Sequence, residues 1–225
     1  ADYAAATALQ PSLAPAHKGR ADLLRRIGQP EKAVVALGAA IALSPQDPSL
    51  HEAVADALRS LGRPAEALAA YDRALALEPG RSATHVGRGT LLSDQMRLDE
   101  ALAAFDAAVA CDPGYAIAHF NRGVTLRKQQ RIDEAIAANR AAIALQPDFA
   151  KAHQQLAICL LQQGRLAEGF EEYEWRRRTV EDAFPRGQHA HIDLVEVLQA
   201  RKAQAAALAQ RRLRGWRGRV GRRGH

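Results

Sequence analysis

Residues 48–81 read P-S-L-H-E-A-V-A-D-A-L-R-S-L-G-R-P-A-E-A-L-A-A-Y-D-R-A-L-A-L-E-P-G-R. The proline near the end of this stretch, Pro79, recurs every 34 residues as Pro11, Pro45, Pro113 and Pro147. The histidine near its start, His51, recurs in the same phase as His17, His85, His119 and His153, each six residues after a proline. A period this strict means one supersecondary unit stacked on copies of itself. The units fall at 14–47, 48–81, 82–115, 116–149 and a looser 150–183.

Each unit predicts two helices. The first runs to about the fourteenth residue. A polar turn follows, with Gly28, Gly62 and Gly164 as the link in three units. The second carries A-L-A-A-Y-D-R-A-L-A-L at 67–77 and stops as the proline approaches, because the residue before proline is pushed out of helical geometry. Two columns stay small: Ala21, Ala55, Gly89, Gly123, Ala157, and Ala33, Ala67, Ala101, Ala135, Gly169. Small side chains let two helix axes come close, so these columns predict where the helices of a unit cross. Beside them runs a leucine column, Leu24, Leu58, Leu92, Leu126 and Leu160. A bulkier column has Tyr3, Leu37, Tyr71, Phe105, Asn139 and Tyr173; Asn139 breaks it and is expected to be its weakest packed site.

This pattern resembles the tetratricopeptide repeat over residues 1 to about 175. The resemblance implies an all-α fold, a right-handed α-solenoid of antiparallel helix pairs whose concave face is lined by first helices and binds a protein or peptide segment. Two departures stand out. Histidine replaces the frequent aromatic four residues in, and Met96 and Gln130 replace the turn glycine.

Composition bounds the function. Hydrophobic residues make up 48% of the 225, but only 5% are aromatic, which suits close helix packing through alanine rather than a thick core. No apolar run approaches the roughly 18 residues of a membrane span, and no secretory signal opens the chain. A cytoplasmic location is the expectation. The two cysteines, Cys111 and Cys159, make no disulfide framework and predict buried, reduced thiols. The net charge of +6 is misleading: residues 184–225 hold ten basic and two acidic side chains, and residues 1–183 carry −2. The basic character belongs to the tail.

The histidine column invites a metal reading. Zinc needs donors within about 2.0–2.3 Å of one ion, whereas successive repeats stand about 10 Å apart, so one histidine per repeat cannot converge. Ring packing at the junction between units is the expectation. No nucleophile elbow, zinc-protease helix, phosphate loop or paired-cysteine metal site is present, so the sequence implies no enzyme, no cofactor and no metal.

The expected partner-binding groove is set by residues projecting from the first helices: Lys18, Asp22 and Arg25; Glu52, Asp56 and Arg59; Phe120, Asn121, Val124, Arg127 and Lys128; Gln154 and Ile158. Charge goes from mixed to apolar with basic edges along the array, with Phe120 as an anchor for an extended or helical segment. One member class of the family grips a C-terminal carboxylate with Lys and Asn. Lys18 fits, but Asp22 stands where Asn is wanted, so that role is not implied. Nor is the asparagine ladder of the O-linked sugar transferases, since Asn121 shares its column with Gly19, Ala53, Gly87 and Gln155.

At the ends, residues 1–13 read as the second half of a truncated repeat, from an array that continues upstream. Residues 164–178, G-R-L-A-E-G-F-E-E-Y-E-W-R-R-R, resemble the junction in bacterial tetratricopeptide proteins that continue into a glycosyltransferase-like domain, which implies an alternative role as the substrate-recruiting arm of such an enzyme. About forty residues follow, too few for that domain. Residues 192–213 predict a capping helix. Residues 211–225, with seven arginines and four glycines, predict disorder and the chain's one means of binding nucleic acid.

Overall fold

The computed structural model describes residues 14–181. The truncated repeat expected at 1–13, the helix expected at 192–213 and the basic tail lie outside the described residues. Among the described residues the regular structure is helical: α1 (Ala14–Arg26), α2 (Pro30–Leu43), α3 (Pro48–Ser60), α4 (Pro64–Leu77), α5 (Ser82–Asp94), α6 (Leu98–Cys111), α7 (Ala116–Lys128), α8 (Ile132–Leu145), α9 (Ala150–Gln162) and α10 (Leu166–Glu181). Odd-numbered helices are the first helices of the five units and even-numbered ones the second. No helix among the described residues is long and apolar enough to cross a membrane.

The helix ends follow local chemistry. Pro30, Pro48 and Pro64 occupy the first turns of α2, α3 and α4, where a missing N–H costs nothing. Asp47 caps α3 by accepting from the Ser49 N–H at 2.9 Å. Burial pushes the Asp47 carboxyl up, but the Ser49 hydrogen bonds, with Lys18 and Arg81 nearby, hold it below the usual carboxylate range.

Every first helix ends in the same paired closure. Arg63 N–H donates to Leu58 O at 3.0 Å while Gly62 N–H donates to Arg59 O at 3.1 Å, with Gly62 at φ 68°. The pattern recurs at Gly28 and Gly164. It also recurs at Met96 (φ 61°) and Gln130 (φ 62°), where the sequence has lost the glycine and the left-handed turn persists regardless. The two extra bonds per turn, and the packing that brings the next helix back, outweigh a side-chain penalty of about 1 kcal/mol.

The chain divides into two compact units, Ala1–Asn121 and Arg122–His225. In the first, α1–α2, α3–α4 and α5–α6 pack as helix pairs, and α2 and α4 pack on the first helix of the next pair. First helices also touch each other, α1 with α3 and α3 with α5, whereas α2, α4 and α6 make no such mutual contact among the described residues. The core of this unit includes most of the predicted columns, with Leu24 half-buried and Leu50, Ala40, Ala74 and Ala108 added from outside them. Ala21, Ala33, Ala55, Ala67 and Ala101 are buried, as are Leu37, Tyr71, Phe105, Leu58 and Leu92. A Cβ on Gly89 would lie 2.7 Å from Phe105 Cε1, and one on Gly87 would lie 2.8 Å from the Tyr71 ring, so both rings fill space that missing methyls leave.

In the second unit α8 packs on α9 and α9 on α10. A Cβ on Gly123 would sit 3.3 Å from Ala135 O, and one on Gly169 would sit 3.3 Å from Ala157 O, which places both small columns at the helix crossings. Asn139 is fully buried, no less than Tyr71 in its column. Its Nδ2 donates to Ala135 O at 2.8 Å, and Oδ1 has no partner among the described residues. The price of asparagine here is thus a buried acceptor rather than loose packing. Cys159 is buried as expected. Cys111 is not: it is the last residue of α6 and is exposed, its Sγ 3.7 Å from Pro79 O. Its column position is apolar, but the helix ends there and leaves the side chain uncovered.

Candidate functional site

The histidine column resolves first. His51 Nε2 donates to Pro45 O at 3.0 Å, His85 to Pro79 O at 2.9 Å, His119 to Pro113 O at 3.0 Å and His153 to Pro147 O at 3.0 Å. Each ring closes the loop between one repeat and the next, holding a carbonyl of the turn just past the helix C-cap. His153 does more. Its Nδ1 lies 2.5 Å from Glu172 Oε2, and its ring stacks on Trp175 with centroids 3.7 Å apart. This constellation binds the Y-E-W-R stretch of α10 to α9.

The charged groove candidates of the first unit are tied to neighbours. Lys18 Nζ donates to Ser49 Oγ at 2.7 Å, linking α1 to α3. Glu52 Oε2 accepts from Arg81 Nη2 at 2.6 Å and from Thr84 Oγ1 at 2.7 Å, linking α3 to the start of α5. Asp56 accepts from the Tyr71 hydroxyl at 2.5 Å and stands 3.7 Å from Arg25. Burial first, and the Asp56 carboxylate second, push the Tyr71 phenol well up, so it remains a donor. Asp22 is half-buried and Arg59 exposed. Phe120 and Asn121, at the end of this unit, are half-buried. Glu52 and Asp56 thus hold successive helices together.

In the second unit, Val124, Gln154 and Ile158 are half-buried and Lys128 is exposed. Arg127 Nε donates to Gln155 Oε1 at 3.0 Å, which joins the end of α7 to the middle of α9.

One recurrent element escaped the sequence reading. Arg63, Arg97, Arg131 and Arg165 precede the second helices and each pairs with the glutamate three residues on, Glu66, Glu100, Glu134 and Glu168. The pairing is a two-pronged fork, with Arg63 Nε and Nη2 at 2.7 and 2.6 Å from the two Glu66 oxygens. Its signal was legible as R-x-x-E at 63, 97, 131 and 165, in phase with the prolines. The Glu52–Arg81–Thr84 link had no such signal, because it occurs at one junction.

No curated protein sequence matches the chain. Among solved structures it is similar to PilW, a widely conserved type IV pilus biogenesis factor, at 23% identity and TM-score 0.72, over 90% of this chain and 92% of that one. PilF of Pseudomonas aeruginosa is similar at 21% identity and TM-score 0.71, over 89% and 91%. YrrB, described as a tetratricopeptide protein with an unusual peptide-binding site, is similar at 19% identity and TM-score 0.61, over 89% and 97%. These likenesses bear on the fold. The tetratricopeptide repeat profile matches residues 18–83, 53–116, 86–148 and 120–174. With the all-helical architecture and the helix pairs in phase with those matches, the chain belongs to the tetratricopeptide repeat family.

Proposed function

We propose that this chain is a non-catalytic protein-interaction module that holds an extended or helical segment of a partner protein against its first helices. The observation that carries the reading is the set of contacts in the first unit. There α1 touches α3 and α3 touches α5, whereas no contact between second helices occurs among the described residues, which supports an inner side made of first-helix side chains. Half-buried and exposed residues occupy first helices here, including Asp22 on α1, Arg59 on α3 and Phe120 on α7. That mixture of apolar area and polar atoms suits a segment gripped by a few anchors. YrrB, a structural neighbour whose description includes a peptide-binding site, supports the reading.

The test is recovery of partner by the immobilised chain, compared across variants of matched thermal stability. Phe120→Ala and Arg127→Glu should each reduce recovery about tenfold, the usual cost of an anchor residue. Substitutions on exposed second-helix positions, such as Ala103→Glu and Ala137→Glu, should not. Equal recovery from all four overturns the assignment to the first helices.

A further inference from the structure

The second unit distributes its charge unevenly. Every Asp and Glu between residues 122 and 181 lies on α8, on α10 or at Asp148 in the turn between α8 and α9. The residues of α7 that belong to this unit, and the whole of α9, carry Arg122, Arg127, Lys128 and Lys151 and no acid. Several carboxylates of the second helices are engaged locally: Glu134 by Arg131, Glu168 by Arg165 and Arg140, Asp133 by Gln163, Glu172 by His153. On the α7–α9 side, Arg127 pairs with the neutral Gln155. That bond uses Nε and leaves the four N–H groups on the terminal nitrogens, the fork that fits a carboxylate.

Helical spacing puts Lys151, Gln154, Gln155 and Ile158 on one face of α9, and Val124, Arg127 and Lys128 together at the end of α7. The Arg127–Gln155 bond brings the two faces side by side. We infer that this face takes an acidic peptide segment, with a Glu or Asp side chain on the Arg127 fork, further acids near Lys128 and Lys151, and an aliphatic side chain over Val124 and Ile158. This rests on the proposed function and specifies its partner chemistry for the second unit. The cations are not at the places of Lys18 and Asp22 in the first unit. In the fourth unit those places hold Phe120 and Val124, so the recognition is a different one from a C-terminal carboxylate grip.

The experiment is fluorescence anisotropy with the full chain and a labelled peptide of Glu and Asp interspersed with Leu, against the same peptide with Lys at every acidic position. The acidic peptide should bind, weaken steadily with added salt, and outbind the lysine peptide at least tenfold. Arg127→Glu should weaken it at least tenfold and Lys128→Glu and Lys151→Glu about threefold each. Arg127→Lys should fall between, since it keeps charge and loses the fork. Thermal melts confirm that the variants fold. Binding that survives the triple reversal locates the peptide elsewhere, on the arginine-rich residues 211–225, and overturns the inference. So does equal binding of the two peptides. If the natural partner responds to Phe120→Ala but no acidic peptide binds, this inference fails and the groove reading stands. If neither responds, the groove reading itself fails.

Discussion

At the scale of single residues, the turns that end the first helices offer a direct test. Met96 and Gln130 hold φ values of 61° and 62°, where glycine serves the other three turns. Met96→Gly and Gln130→Gly should each stabilise the chain by about 0.5–1 kcal/mol, the left-handed penalty less the added freedom of an unfolded glycine. Gly62→Ala should cost about 1 kcal/mol. Urea midpoints read all three, and a loss of stability in the two glycine variants contradicts the argument. The thiols offer a second test. Burial pushes the Cys159 thiol up to about 11, so at pH 8 it stays protonated as well as covered. Cys111 is exposed. A maleimide should label Cys111 in the native protein at pH 8 and Cys159 only in denaturant; equal labelling rates would show that α9 is not packed as described.

At the scale of helices, the small columns set the distance between partners. A methyl added at Gly89 would meet Phe105 Cε1 at 2.7 Å, with the ring enclosed by α5 and α6. Gly89→Ala should therefore cost about 1–3 kcal/mol, the usual toll of overpacking. Phe105→Leu in that background should recover part of it, and calorimetry of the single and double variants measures the coupling. These columns were legible in the sequence because small residues recur at one phase. The fit between Gly87 and Tyr71 was not, because Gly87 belongs to a column that ranges from Gly19 and Ala53 to Asn121 and Gln155. Burial of Asn139 beside Gly123 was not legible either. Its polarity argued for loose packing, but the missing Cβ at Gly123 makes room for the amide.

At the scale of the molecule, the forks between Arg63, Arg97, Arg131 and Arg165 and their glutamates set the response to acid. The arginine hydrogen bond, and less strongly its charge, hold Glu66, Glu100, Glu134 and Glu168 below the usual glutamate range. A folded carboxyl more acidic than its unfolded counterpart adds stability above the unfolded value, and that stability is lost as pH falls through the folded one. Thermal midpoints should stay level from pH 8 to about 6 and fall below about pH 5. A rise on acidification would contradict the pairing. High salt should flatten the curve, since the pairs are exposed. At this scale the all-helical fold, the helix pairing and the family were readable from the 34-residue phase. The engagement of Glu52 and Asp56 by Arg81 and Tyr71 was not, because a projecting residue and its partner come from different helices and only packing decides whether they meet.

The histidine-to-proline bond has a consequence for how such a chain can change in length. Donor and acceptor lie six residues apart across the seam between neighbouring units. A duplication or deletion of whole 34-residue cassettes cut inside a helix pair leaves every seam with its own ring and carbonyl. A cut between the proline and its histidine is also silent when both breaks share the same phase, because the incoming ring finds an equivalent acceptor. Gene rearrangement out of phase strands one or the other, so the seam guards the phase of the repeats and leaves their number free to change.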